Sequence, residues 1–386
     1  MGWTKYILLG LAALTSAGTV MVLVPPIRKI ALRRGLVDIP GGRKAHPHPV
    51  PLLGGLAIWA AILTTIGLGY LVLSFLGHFP RWVRYFPSYF TWLDRLPLVG
   101  SKLGGLLLGA TLCFVLGLAD DLRKGWLDYR SKFPFQFAIA GLAVAAGIQT
   151  QFMPGRILDG VVSVLWIVGI ANAFNLLDNM DGLAAGVAAI ASGALAILTA
   201  SQSQDYMAFL LAVLAGASAG FLRYNFHPAR IFMGDAGSLT LGFLLGSATI
   251  LASYIDVRSP TFAPVVIPVL ILSVPIFDCL SVLYIRWREH RPLFVGDRRH
   301  FSHRLVDFGL SEKNAVLFLY LVEASVAMGA LLLPRLSWAG CLIAFLQTVA
   351  LYALLTILMV SPQRRRNEVS EVASPPNPMG RDGCAH

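Results

Sequence analysis

Long apolar runs broken by short polar segments organise this chain, and eleven of them approach the roughly 20 residues with which an α-helix crosses a bilayer: 5–27, 52–76, 103–119, 134–149, 161–178, 183–199, 206–222, 238–254, 263–285, 315–333 and 337–360. The pattern predicts an all-α, polytopic integral membrane protein of about 11 transmembrane helices. Residues 1–360 are expected to form one integral-membrane domain. The segment 361–386, rich in Arg, Glu, Pro and Gly, is expected to be a disordered cytoplasmic tail. Only Lys5 precedes the first run and no small-residue cleavage site follows it, so that run is read as a retained span.

Composition strengthens this picture. With 56% hydrophobic and only 13% charged residues among 386, a division into ordinary soluble domains is excluded. The net charge of +11 invites a nucleic-acid reading, but the basic residues lie between apolar runs. If the spans alternate, 23 of the 31 Lys and Arg residues fall on one side, which the positive-inside rule assigns to the cytoplasm. That places the N-terminus outside and, for an odd number of spans, the C-terminus inside. No zinc-finger or RNA-recognition pattern accompanies the charge, so no nucleic-acid partner is expected, whereas membrane lipids are. Cys113, Cys279, Cys341 and Cys384 form no CxxC pair, which argues against disulfide stapling and a zinc knuckle. The outer connection over 77–102, with Phe79, Trp82, Tyr85, Phe86, Tyr89, Phe90 and Trp92, reads as an interfacial anchor.

The polar residues that fit lipid poorly gather on the inferred cytoplasmic side. Asp120 and Asp121 end the third run in GLADDLRKG. Adjacent carboxylates repel one another when enclosed, so a cation or a proton transfer is one reason to keep them together, and a wet helix end is another. In IANAFNLLDNMDGLAAG, Asn172, Asn175, Asp178 and Asp181 recur every third residue, which puts them on a broadly common helical face turned toward a cleft or a polar seam. Asp235 stands in IFMGDAGSLTLGF between Gly234 and Gly237, without the spacing of a P-loop. DRRHFSHRLVDFGLS carries Asp297, His300, His303 and Arg304, and GGRKAHPHPVPLLGG carries Arg43, Lys44, His46 and His48. Carboxylates that hold a divalent cation, beside basic groups that neutralise phosphate oxygens, would make one phosphoryl-transfer site of these fragments. Hard oxygen ligands favour Mg2+, with Mn2+ the alternative. A transporter of a phosphorylated or nucleotide-linked solute would also place polar residues in broken helices, although no duplicated half is evident.

In the order and placement of RKAHPHPVPLLGG, ADDLRKG, NAFNLLDNMDGLAAG, MGDAGSLTLG and DRRHFSHRLVDFGLS, the chain resembles the polyprenyl-phosphate N-acetylhexosaminyl-1-phosphate transferases, of glycosyltransferase family 4 type, over roughly residues 35–312. The resemblance implies transfer of a sugar-1-phosphate from a UDP-N-acetylhexosamine to undecaprenyl or another polyprenyl phosphate, with release of UMP. It implies a bacterial cytoplasmic membrane, an active site facing the cytoplasm, and initiation of an envelope polymer such as lipopolysaccharide or teichoic acid. It inclines to the UDP-N-acetylglucosamine branch, with the phospho-MurNAc-pentapeptide transferases as the alternative. Three positions depart from the family pattern: Lys124 stands for the last acid of an extended DDxxD, Asn179 for a glycine, and Ser302 for the middle histidine of the late motif. Carried onto this chain, the resemblance makes Asp120, Asp121, Asp178, Asp181 and Asp235 the catalytic carboxylates. Asp120 orients or deprotonates the lipid phosphate, and Asp235 and Asp121 hold the metal. Asn172, Asn175, Lys44, His46, His300, His303 and Arg304 are the expected substrate-binding residues.

Overall fold

Every apolar run read from the sequence is helical in the computed structural model, which describes residues 2–39, 49–79, 87–123, 128–255, 259–292 and 299–372. Helix α1 spans Gly2–Arg33, α2 Gly54–Leu76, α3 Pro87–Leu122 and α4 Tyr129–Ala145. Then follow α5 Arg156–Leu177, α6 Leu183–Ser201, α7 Asp205–Asn225 and α8 Gly234–Leu251. After a 3-10 turn over Ala263–Val266 come α9 Ile267–Ile271, α10 Ser273–Arg288, α11 Phe301–Phe308 and α12 Glu312–Leu332. The last helix, α13, runs Trp338–Val372, past residue 360 where the tail was expected to begin. Strands β1 (Val37–Asp38) and β2 (Val50–Pro51) pair antiparallel, with Val37 opposite Pro51 and Asp38 opposite Val50, a small departure from an all-α chain.

Among the described residues, nine helices are long and apolar enough to cross a membrane, or ten if a bent pair counts as one span. The difference from eleven lies at α4, which has 17 residues. At ~1.5 Å per residue it reaches only ~25 Å, short of a ~30 Å hydrocarbon layer. The bent pair is the expected run 263–285, broken by 67° between Pro264–Ile271 and Ser273–Arg288. Two causes for the break are visible. Pro275 has no N–H to continue the ladder, and the Val274 N–H is engaged instead by Glu323 Oε2 of α12 at 3.3 Å. The expected aromatic anchor is divided, since residues 80–86 lie outside the described residues and the backbone is helical from Pro87 onward.

Helix α8 is buried along most of its length among α2, α3 and α5, and its composition explains how. Between membrane helices the gain comes from close packing, which small residues permit. A Cβ on Gly117 of α3 would stand 2.4 Å from the Asp235 backbone, and one on Gly55 of α2 would stand 2.3 Å from the Gly237 nitrogen. These glycines let α2 and α3 press on the first turn of α8.

The helices alternate in direction, and this sorts their ends. The starts of α2, α4, α6, α8 and α12 and the ends of α1, α3, α5, α7 and α10 meet at one end of the bundle, as cross-links such as Arg28 Nε to the Arg230 carbonyl (3.0 Å) and Gly54 N to the Phe232 carbonyl (2.9 Å) show. At the other end Lys5 donates to the Ala200 carbonyl, and Gln204 Nε2 to the Ser253 carbonyl at 2.6 Å.

Candidate functional site

Four helices contribute to a polar cluster at the first of these ends. The chain enters α8 through Gly234, whose φ of +68° suits glycine. Met233, at the capping position, has no side-chain acceptor for the free N–H groups of the first turn. Asp121, at the end of α3, supplies it: Oδ1 accepts the Asp235 N–H at 2.9 Å and Oδ2 the Ala236 N–H at 3.0 Å. A carboxylate at a helix N-terminus also meets the favourable end of the helix dipole.

Asp235 projects from that turn and is held on both oxygens. Lys132 Nζ of α4 donates to its Oδ2 at 2.6 Å, and Asn175 Nδ2 of α5 donates to its Oδ1 at 3.0 Å and to Ser238 Oγ at 2.9 Å. The same ammonium donates to Asp120 Oδ2 at 2.7 Å, so one cation bridges two acids. Asp120 is buried, whereas the Asp235 side chain keeps 26% of its exposure and Lys132 keeps 20%, so a solute can reach this pair. Burial alone would push the Lys132 ammonium down in pKa. The negative charges of Asp235 and Asp120 outweigh it and hold the group above the ordinary lysine value.

The four residues spaced by three in the second motif do not share one face. Helix α5 stops at Leu177, so Asp178 caps it and Asp181 lies on the turn beyond. Asn175 reaches the acidic cluster. Asn172 turns to α4, where its Nδ2 donates to Gln136 Oε1 at 2.5 Å. Asp181 Oδ2 accepts from the Ala229 N–H at 2.9 Å and pairs with His227 Nδ1 at 3.0 Å. Asp178 is disfavoured as a carboxylate by its surroundings: burial first, then the charges of Asp235, Asp121 and Asp181, push its pKa up to about 8.

The late motif packs beside this turn. His300 Nδ1 pairs with Asp278 Oδ2 at 2.8 Å, and Asp278 Oδ1 accepts the Phe301 N–H at 2.6 Å. A carboxylate accepts, so Nδ1 is the donor of this pair. Arg304 donates to Ser281 Oγ at 3.2 Å, its guanidinium lies 5.6 Å from the Phe301 ring centre, and the His303 ring lies 6.5 Å from that of His300. Lys44, His46, Lys124 and Asp297 lie outside the described residues.

Thus Asp120, Asp121, Asn175 and Asp235 come together, Asp178 lies within their field, and Asp181, Asn172 and His300 hold neighbouring segments. Lys132, Ser238, Asp278 and His227 belong to the same region. In the sequence Lys132 is one of the 23 basic residues that bear on topology, outside every motif. Its signal in the sequence is its place: a cation just before the apolar run FPFQFAIA, at the same boundary as the acids.

The donor chemistry suits a hard divalent ion. Every candidate ligand is a carboxylate oxygen, and the mutual repulsion that raises Asp178 is the repulsion a cation relieves. Among the described residues no three acidic, histidine or cysteine side chains already converge as a ligand set, and Lys132 holds the gap between Asp120 and Asp235. A metal there would draw on Asp235 and a second lone pair of Asp121, with Asp178 next in reach.

Comparison with known proteins follows these residues. Positions 103–253, which hold Asp120, Asp121, Lys132, Asn175, Asp178, Asp181 and Asp235, match the family described as glycosyl transferase family 4. A probable undecaprenyl-phosphate N-acetylglucosaminyl 1-phosphate transferase of Bacillus subtilis is 33% identical over 345 residues, covering 87% of this chain and 88% of that protein. A decaprenyl-phosphate N-acetylglucosaminephosphotransferase of Mycobacterium tuberculosis is 33% identical over 349 residues, covering 83% and 81%. A phospho-N-acetylmuramoyl-pentapeptide-transferase of Geobacillus kaustophilus is 40% identical, but over 250 residues, 60% of this chain and 69% of its own length.

Proposed function

Because the chain belongs to glycosyl transferase family 4, and lies nearer its N-acetylglucosamine branch than its MurNAc-pentapeptide branch, we propose that it transfers N-acetylglucosamine-1-phosphate, or a related N-acetylhexosamine-1-phosphate, from a UDP-sugar to a polyprenyl phosphate. The observation that carries this reading is the convergence of Asp121, Asp235, Lys132 and Asn175 from four helices at one end of a membrane bundle. The basic residues of that end support a cytoplasmic site, an N-terminus outside and eleven crossings if α4 is counted as one.

The reaction is a displacement at phosphorus. An oxygen of the lipid phosphate forms a bond to the β-phosphorus of the UDP-sugar, the bond from that phosphorus to the bridging oxygen breaks, and UMP leaves with that oxygen. The lipid phosphate is already anionic, so the protein's task is to bring two anions together. Lys132 supplies a positive charge between Asp120 and Asp235, and its ammonium keeps a third donor for a phosphate oxygen. Asp120 orients the lipid headgroup or takes its last proton. Asn175 keeps Asp235 in place. Asp178 and Asp181 border the nucleotide-sugar side, with His303 and Arg304 on the adjacent helix for diphosphate or sugar oxygens, and Lys44 and His46 belong to the same phosphate-handling set. Asp235 and Asp121 are the proposed ligands of Mg2+, or of Mn2+ in its place. When bound, the ion neutralises phosphate charge and lowers the cost of forming the leaving group.

Purified protein in detergent, supplied with UDP-N-acetylglucosamine, undecaprenyl phosphate and Mg2+, is expected to release UMP and form lipid-linked sugar in equal amounts. A parallel reaction with UDP-MurNAc-pentapeptide distinguishes the branch represented by the Geobacillus relative. Movement of the nucleotide sugar across liposomes with neither product formed would replace this reading by transport.

A further inference from the structure

Two of the positions that depart from the family pattern, Asn179 and Ser302, are 123 residues apart in the chain and hydrogen-bonded to each other: Ser302 Oγ donates to Asn179 Oδ1 at 2.6 Å. The amide is fixed in this sense by its other end. Asn179 Nδ2 donates to the Leu176 carbonyl at 2.7 Å, and a carbonyl can only accept, so the amide oxygen faces the hydroxyl. Ser302 is 1% exposed, so its hydroxyl has little access to solvent as an alternative partner.

The pair joins two pieces that bear on the site. Asn179 follows Asp178 directly, in the turn between α5 and α6. Ser302 stands in the first turn of α11, directly before His303 and Arg304. That helix has eight residues. Asp278 of α10 anchors its start, and the hydroxyl ties it to the acidic turn. The glycine and histidine usual at these positions could not form this bond, because glycine offers no side-chain acceptor.

We propose that Ser302 and Asn179 form a positioning latch that fixes α11 against the Asp178 turn and so sets how the sugar-diphosphate end of the donor is held. This rests on the function proposed above in that the donor is a UDP-sugar. The residues of the pair position others and do not react. A buried hydrogen bond of this kind corresponds to roughly a three- to tenfold effect on binding.

The test combines kinetics and hydrogen exchange on the full-length protein in detergent. Ser302→Ala and Asn179→Gly are each expected to raise KM for UDP-N-acetylglucosamine by roughly three- to tenfold while kcat and the KM for undecaprenyl phosphate change by less than about twofold. Ser302→Thr keeps the hydroxyl and is expected to restore most of the loss. The double variant S302A/N179G is expected to be no worse than Asn179→Gly alone, which already removes the Asn179–Ser302 bond together with the bond to the Leu176 carbonyl. In the absence of substrates, amides of residues 300–309 are expected to exchange faster in Ser302→Ala than in wild type. Unchanged KM and exchange in folded single variants, or losses that add in the double variant, overturn the latch. If wild-type protein makes no lipid-linked sugar, the proposed function fails, and exchange over 300–309 alone then upholds or overturns the latch.

Discussion

Asp121 caps the helix that carries Asp235: the carboxylate at the end of α3 accepts the N–H of Asp235 at 2.9 Å and that of Ala236 at 3.0 Å. The two acids that the sequence offers as metal ligands are therefore also joined structurally, and the geometry around Asp235 depends on Asp121 whether or not a metal is bound.

Replacing Asp121 is expected to act on the fold and on turnover together. Asp121→Ala leaves two N–H groups of α8 without acceptors and should destabilise the protein by ~0.5–2 kcal/mol. Asp121→Asn keeps one acceptor and should lose less stability while losing comparable activity. Melting temperatures in detergent beside rates of UMP release separate the two effects; equal stability in wild type and Asp121→Ala would show the cap to be unimportant.

Gly234 tests the same junction from the other side. Its φ is +68°, and a Cβ there would lie 2.5 Å from Asp121 Oδ2. Gly234→Ala is expected to cost ~1–3 kcal/mol and to displace the Asp121 carboxylate. The check is a lowered melting temperature with reduced kcat, in contrast to Gly193→Ala, where nothing stands within 4 Å of the added atom.

Lys132→Ala removes the cation that bridges Asp120 and Asp235. Lipid-linked product is expected to fall by at least about a hundredfold, the scale of losing a positioned charge in a phosphate site, with partial recovery in Lys132→Arg. Product formation within a factor of about two of wild type would remove Lys132 from the site.

Asp178 predicts a pH effect whose sign can be worked out. Its pKa in the fold is raised from 3.8 to about 8, so the folded state binds a proton more tightly than the unfolded chain does. Its contribution to stability is fully present below the unfolded value and is lost as pH rises through about 8. In chelator-treated protein, the melting temperature of Asp178→Asn relative to wild type should therefore rise between pH 5 and pH 8. A constant difference across that range would contradict the burial and charge crowding assigned to Asp178.

What could be read from sequence follows from which physical signals are local. Apolar run length marks nearly all the helices, and α4, with 17 residues, is at the short end of what spans a bilayer. Asp120, Asp121 and Asp235 announce themselves as acids at membrane boundaries. Spacing by three placed Asn172 and Asp181 on the face of Asn175 and Asp178, but the end of α5 at Leu177 and the attraction of Gln136 separate them. Lys132 was hidden among charges that set topology. The Asn179–Ser302 bond joins positions 123 residues apart, and no local pattern carries such information.

The separation of 114 positions between Asp121 and Asp235 also bears on biosynthesis. While the ribosome is still making α4 to α7, Asp121 at the end of α3 has no helix to cap, and Lys132 has Asp120 but not Asp235 to hold. The nascent protein thus has no assembled centre until α8 is inserted, and translation arrested before that point would leave an inert fragment in the membrane rather than a partly active one.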